Sequence, residues 1–486
     1  MDSLTGRAFV EVEATAVLAL PGILGLVICL YLRPQDFVPG LAGWELLHVS
    51  LAVALVGLCF DIAVRSTRLT RTPQLPWAAL FTAWCLLGLG WRQPDAFLTQ
   101  APRILVPVTI YLVVAHGIPR VRTFVTVVRI VFAIGLFVAY VGVDQGMSPF
   151  QCLMVNPVDL AGQAYPDGRL CFPAGPDGPA HDGDLQCVES GQPGVMYRCE
   201  RAGMLGTSSI YSGRVRYLGV LQDPNDLALA TAMALPFAFA FLEIRRSVLR
   251  VGLVVVTAIV VGTEIVLTQS RGGQLTYGAV LGAYFIKKYG WARGLFVGAA
   301  MIVPIALLGG RSDEGAEGST IERLGCACAG IKMFRAYPIT GVGFAWFTHE
   351  HPLTAHNAYI LAAAELGLVG MSLFAFVLYL SIKIPVLALR LDMGAGAEAR
   401  IMKALAMAML AALGGAGVGI FFLSWTYHYV LWIHFGLSGA LYLVVRARHP
   451  TFECRLTFKE AASIVVGYLA FLVFWTGYIK LRGAWE

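Results

Sequence analysis

Charge is what this chain has least of. Only 14% of its 486 residues are Asp, Glu, Lys or Arg, and the mean hydropathy is +0.70. An ordinary soluble domain carries roughly 25%. So few charges exclude a soluble globular fold and leave an integral membrane protein. The net charge of +6 makes no case for nucleic acid, because the basic residues lie in short loops between apolar segments. No cleavable signal peptide is evident. Met1 to Ala14 contains Asp2, Arg7, Glu11 and Glu13, and the first apolar run reads as a retained helix. Clear internal repeats, which would suit a transporter, are also lacking.

Thirteen apolar segments are present: 15–32, 46–64, 76–91, 104–116, 123–143, 219–242, 251–268, 274–287, 294–309, 357–382, 403–423, 430–445 and 461–479. Two of them, 104–116 and 274–287, are short enough to need tilting or semi-polar extensions. The expected fold is therefore all-α and polytopic, with about 12–13 transmembrane helices. Lys and Arg collect in alternate loops, around Arg65–Arg71, Arg120–Arg122, Arg245–Arg250, Lys287–Arg293, Lys383–Lys403 and Arg446–Lys459. That set should be cytoplasmic. The opposite set holds the two longest loops, about 144–217 and 310–356. The chain divides into N-terminal helices 1–143, an outer loop 144–217, a core 218–382 that includes the outer loop 310–356, and C-terminal helices 383–486.

The loop 144–217 is rich in Gly, Pro and Asp and carries Cys152, Cys171, Cys187 and Cys199. Four cysteines in one exported loop point to two disulfides, with three pairings open. Their spacings are too wide for a metal knuckle. Asp182-Gly183-Asp184 looks like a nucleotide-sugar DxD but reads as a turn, and nucleotide sugars are cytoplasmic. His349, His351 and His356 invite a zinc reading. It is disfavoured because only Glu350 sits at ligand spacing. Trp425, Tyr427, His428 and Tyr429 read as an aromatic belt at an outer helix end.

The most informative stretch is Leu353 to Met371, where His356-Asn357 stands before a long apolar run, with Pro352 and Thr354 as stop and cap signals. After nine intervening residues comes Gly367-x-x-Gly370. Upstream lie Pro338-x-x-Gly341-x-Gly343, an amphipathic stretch 319–335 with Arg323, Ser270-Arg271-Gly272 with Leu275, and Arg216 before Asp223-Pro224-Asn225. Together these resemble the bacterial O-antigen ligase and polysaccharide polymerase superfamily, over about residues 214–371. Arg33-Pro34-Gln35-Asp36-Phe37 further resembles an N-terminal feature of ligase-like proteins associated with exosortase systems. Read alone, it is a Pro-rich turn with an interfacial arginine. Arg271 alone would be a snorkelling arginine, with Glu264 two turns earlier as its partner.

The resemblance implies a GT-C-like membrane glycosyltransferase of the bacterial inner membrane, with a periplasmic active face. It would move a glycan from a polyprenyl diphosphate to a lipid, glycan or protein hydroxyl, with inversion and without metal or other cofactor. Arg271 and Arg323 would serve the diphosphate, with Arg311 and Arg335 the alternatives to Arg323 in the same loop, and His356 would be the base. Arg216, Asn225, Ser270 and Asn357 would contact substrate. The chemistry suits these residue types. Arginine binds phosphate oxygens in pairs and stays charged, and a neutral histidine at a helix start can accept a proton. The competing reading is a transporter or flippase of a polysaccharide precursor, using in-membrane acids such as Asp61, Glu264 and Glu365.

Overall fold

The structure, a computed structural model, describes residues 17–67, 69–155, 164–173, 185–187, 196–210, 213–297, 300, 313–483 and 485. The Asp182–Asp184 triplet, Arg311, and most of the 294–309 segment fall outside the described residues. The N-terminal helices are α1 (Ala19–Tyr31), α2 (Leu46–Ala63), α3 (Leu75–Arg92), α4 (Phe97–His116) and α5 (Val121–Met147). After the cysteine loop come α6 (Pro224–Ile244), α7 (Val248–Leu267), α8 (Arg271–Tyr289), α9 (Asp313–Ala336), α10 (Ala358–Arg390), α11 (Ala397–Gly419), α12 (Tyr429–Arg448) and α13 (Phe458–Leu481). The protein is thus an all-α polytopic membrane protein. Among the described residues, nine helices are long and apolar enough to cross a bilayer. The shorter or more polar α1, α3 and α8 pack among them.

Caps fix the starts of several helices. Asp223 accepts from the Asn225 amide with Pro224 at the first position of α6, Ser247 caps α7, and Thr457 with Glu460 forms a capping box on α13. The N-terminus of α1 is capped from another helix, since Asp61 accepts from the amides of Leu18 and Ala19 at 3.0 Å each. The helices alternate in direction, so the Lys/Arg-rich loops gather at one end. There Lys288 pairs with Glu243, Lys383 with Glu460, and Arg448 with Glu398. The starts of α6, α8, α10 and α12 lie at the other end.

The loop between α5 and α6 holds a four-stranded sheet in the order β3-β2-β1-β4, from β1 (Phe150–Val155), β2 (Ala164–Pro173), β3 (Leu185–Cys187) and β4 (Met196–Arg201). Cys152 faces Cys199 across β1 and β4, and Cys171 faces Cys187 across β2 and β3. The bonds join Cys152 to Cys187 and Cys171 to Cys199, so both bridges tie one pair of strands to the other.

α10 is not continuous. Gly367 breaks it with φ +63° and ψ −164°. The carbonyls freed by the break are taken up by protein: the Val342 and Gly343 amides donate to Ala364 and Glu365, and the Trp84 indole donates to Leu366 at 2.9 Å. The Leu368 amide donates back to Pro338. The Pro338–Gly343 and Gly367–Gly370 motifs are therefore one unit, a loop docked into a helix break. A Cβ at Gly341 would lie 2.2 Å from the Glu365 carbonyl carbon, and one at Gly367 would lie 2.3 Å from the Ile339 oxygen. Only glycine permits both the approach and the backbone angles.

Two outcomes are expected. Gly367→Ala should cost about 3 kcal/mol or more, by strain and overpacking; an unchanged thermal midpoint of the detergent-solubilised protein would contradict the docked break. Non-reducing peptide mapping should recover the 152–187 and 171–199 links, whereas 152–199 or 171–187 links would refute the pairing.

Candidate active site

Three helix starts are locked together at the site end. Ser270 caps α8 by accepting from the Gly273 amide at 2.9 Å, and its hydroxyl donates to Asn225 Oδ1 at 2.6 Å. Asn225 Nδ2 in turn donates to Asp223, the cap of α6. Asn357 caps α10, its Oδ1 accepting from the amides of Tyr359 and Ile360. Asn225, Ser270 and Asn357 are all buried. Thr354 is not the cap expected from sequence; its hydroxyl donates instead to Ser424.

His356 sits immediately before that cap with φ +48°, a left-handed conformation that an L residue adopts at some cost. The ring is half-buried and has no hydrogen-bond partner among the described residues. Burial, and then the charge of Arg323, hold its pKa below the ordinary imidazole value, with Asp223 and Glu322 pulling the other way. The imidazole is therefore neutral over a wider pH range than a free histidine.

Arg271 is the first residue of α8. It is exposed, and its guanidinium has no ion pair or hydrogen bond among the described residues. Glu264 does not partner it, contrary to the sequence reading. That carboxylate is fully buried and accepts from Thr231 at 2.8 Å. Arg323 lies on α9, the amphipathic helix expected at 319–335, whose buried face packs against Val342, Phe347, Ile360 and Leu361. Its guanidinium lies 5.9 Å from the Phe422 ring centre. Phe422 also touches the backbone beside Arg271, since a Cβ on Gly272 would be 2.9 Å from it.

From Phe422 an apolar groove of about 480 Å³ runs down between α8, α10, α11 and α13, lined by Leu275, Tyr359, Val418, Phe421, Ile464 and Phe471. Phe422 thus lies between the Arg323 guanidinium, the backbone beside Arg271 and the mouth of an apolar groove.

Arg216 is placed differently. Its guanidinium pairs with Glu200 at 3.4 Å and donates to the Ser208 carbonyl at 2.9 Å, which anchors the disulfide-bonded sheet to the helix end. Burial lowers its pKa, while Glu200 and Asp223 hold the charge on. The Arg33 turn reaches the same region. Arg33 pairs with Asp36, and its side chain lies on Gly219 just before α6.

Sequence reasoning missed several side chains. Trp425 is only 2% exposed, stacks on His428 and donates to Asp226, so this member of the expected aromatic belt is interior. Phe422 carried no signal, being one phenylalanine among 27. The histidines considered for zinc are separated in role: His349 stacks on Trp346, and His351 bonds the Leu353 backbone.

Residues 253–375 match the family model described as O-antigen ligase. Over that segment, about a quarter of the chain, the protein is similar to O-antigen ligases. The matched segment runs from α7 into α10 and includes Ser270, Arg271, Arg323, His356 and Asn357. Arg216 and Asn225 lie before it. No curated protein matches the chain.

Ser270→Ala in the matched segment should destabilise the protein by about 1–3 kcal/mol, since it removes a cap and leaves the buried Asn225 oxygen without its donor. Thermal unfolding measures this, and a shift no larger than that of an exposed Ser→Ala control would contradict the coupling.

Proposed function

We propose that the protein transfers a glycan from a polyprenyl-diphosphate carrier to an acceptor hydroxyl, with inversion, at the periplasmic face of the bacterial inner membrane. The observation that carries this reading is the shared position of Phe422. It lies against the backbone beside Arg271, under Arg323, and at the head of a groove whose apolar lining suits an isoprenoid tail. A lipid diphosphate needs both parts, cations for the head and an apolar channel for the chain.

In this scheme Arg271 and Arg323 hold the diphosphate. As the bond from the anomeric carbon to the phosphate oxygen breaks, charge develops on the leaving group and the guanidinium forks stabilise it. The acceptor oxygen attacks the anomeric carbon from the opposite side while its proton passes to His356. The helix start and Arg323 favour the neutral imidazole required. Ser270, Asn225 and Asn357 set the positions of the helix ends. We propose Arg216 as an anchor that holds the sheet over the site through Glu200, with its phosphate role secondary.

The periplasmic assignment rests on the Lys/Arg-rich loops lying at the end opposite His356. The transporter alternative is less well supported. The one break in α10 is filled by protein amides rather than left open to a pathway.

The pH dependence gives a test with a sign. His356 must be neutral, and its pKa is lowered, so activity should fall on the acid side only below the usual imidazole range of about 6.5. Arg323→Gln removes a lowering charge and should move that limb to higher pH. Asp223→Asn removes a raising charge and should move it lower. Limbs that stay fixed in both variants would show that His356 is not the titrating base. Arg271→Lys keeps the charge but loses the paired donors, and transfer should drop by about tenfold or more. Retention of full transfer would remove Arg271 from the diphosphate site.

A further inference from the structure

Across the start of α10 from the groove under Phe422 lies a second cavity. It measures about 420 Å³, within the range of roughly 300–1,000 Å³ typical of small-ligand sites. Its character differs from the groove. Arg103, Phe344, Thr354, Glu365, Ser424 and Tyr427 line it, supplying one cation, one carboxylate, three hydroxyls and two aromatic faces. The Phe344 and Tyr427 rings meet edge to face at 4.7 Å. Glu365 is held in place by the Tyr427 hydroxyl at 3.0 Å and the Phe347 amide at 3.3 Å.

The helix geometry puts the two spaces on opposite faces of the start of α10. Tyr359 lines the groove and Leu361 lines the cavity. Two residues turn an α-helix by about 200°, so these side chains leave α10 on opposite faces. His356 is at the head of that same turn. The second wall repeats the pattern, with Phe421 and Phe422 on the groove and Ser424 on the cavity. The Thr354–Ser424 hydrogen bond, 2.9 Å long, closes the partition between them.

We propose that this cavity is the acceptor subsite, and that it binds a sugar with a free hydroxyl facing His356 and an anionic substituent facing Arg103. The proposal rests on the transferase reading above. Aromatic faces suit the C–H surface of a sugar ring, and the hydroxyls and Glu365 suit its hydroxyl groups. Arg103 is exposed into this space and has no ion pair among the described residues. A neutral acceptor would leave it without a counter-charge, whereas a carboxylate or phosphate on the sugar would bind its fork. Nothing in this arrangement serves a lipid diphosphate, whose tail requires the apolar groove.

The test uses the full-length protein in lipid nanodiscs, with membranes of a deletion strain supplying donor and acceptor. Farnesyl diphosphate is the probe of the donor site. Methyl glucuronide and methyl glucoside are the competitors for the acceptor site. Arg103→Glu and Thr348→Trp, the latter placing bulk at an exposed lining position, should each lower transfer by about tenfold or more through the acceptor KM. Both should bind farnesyl diphosphate as the wild type does. Methyl glucuronide should inhibit the wild type about tenfold better than methyl glucoside, and Arg103→Glu should abolish that preference. Unchanged transfer in both variants, loss of farnesyl diphosphate binding in parallel with transfer, or equal inhibition of the wild type by the two glycosides would each overturn the proposal. A wild-type protein that neither transfers glycan nor binds farnesyl diphosphate would overturn the transferase reading itself, and the subsite with it.

Discussion

The active end of this protein depends on a nine-residue helical segment, Ala358 to Leu366, that is fixed at both ends. Asn357 caps its start and the 338–343 loop clamps its finish at Gly367. An unclamped break would leave backbone carbonyls bare in an apolar interior, at a cost of a few kcal/mol each. The amides of Val342 and Gly343 and the Trp84 indole remove that cost. The result is a short rigid post with His356 at its head and Glu365 near its foot. For the proposed transfer a rigid post matters, because an in-line displacement tolerates little misplacement of the base.

Around the post, charge is distributed unevenly. Arg323 on α9 lies over Phe422, which also packs on the backbone beside Arg271 at the start of α8, while a third arginine, Arg216, pairs with Glu200. On the proposed reading, Arg271 and Arg323 serve the diphosphate where the apolar groove opens. The in-membrane acids that suggested a transport path have local partners instead. Asp61 caps α1, Glu264 binds Thr231, and Glu365 binds Tyr427 and Phe347.

Much of this was legible in the sequence, for identifiable reasons. Apolar runs dictate helices because the bilayer leaves few other options, and the Pro, Asp, Ser and Asn residues that cap them are local signals. The His356–Gly367 spacing and the Ser270-Arg271 turn could be read as motifs. Three-dimensional partnerships could not. Nothing local says that Gly341 and Gly367 serve each other, that Ser270 binds Asn225, or that Trp425 is interior rather than lipid-facing. Each depends on residues far apart in the chain, 26, 45 and 199 positions respectively for Gly341–Gly367, Ser270–Asn225 and Trp425–Asp226. The disulfide pairing was open for the same reason, since each bridge joins cysteines that are not cross-strand partners in the sheet.

The central claim is that one histidine moves a proton while separate arginines hold the lipid diphosphate. The most direct measurement is a side-by-side assay of donor binding and glycan transfer for His356→Ala in the purified full-length protein. The account predicts transfer reduced by about 100- to 10,000-fold with farnesyl diphosphate binding nearly intact. Loss of donor binding in step with transfer would place His356 with the diphosphate and contradict the division of labour.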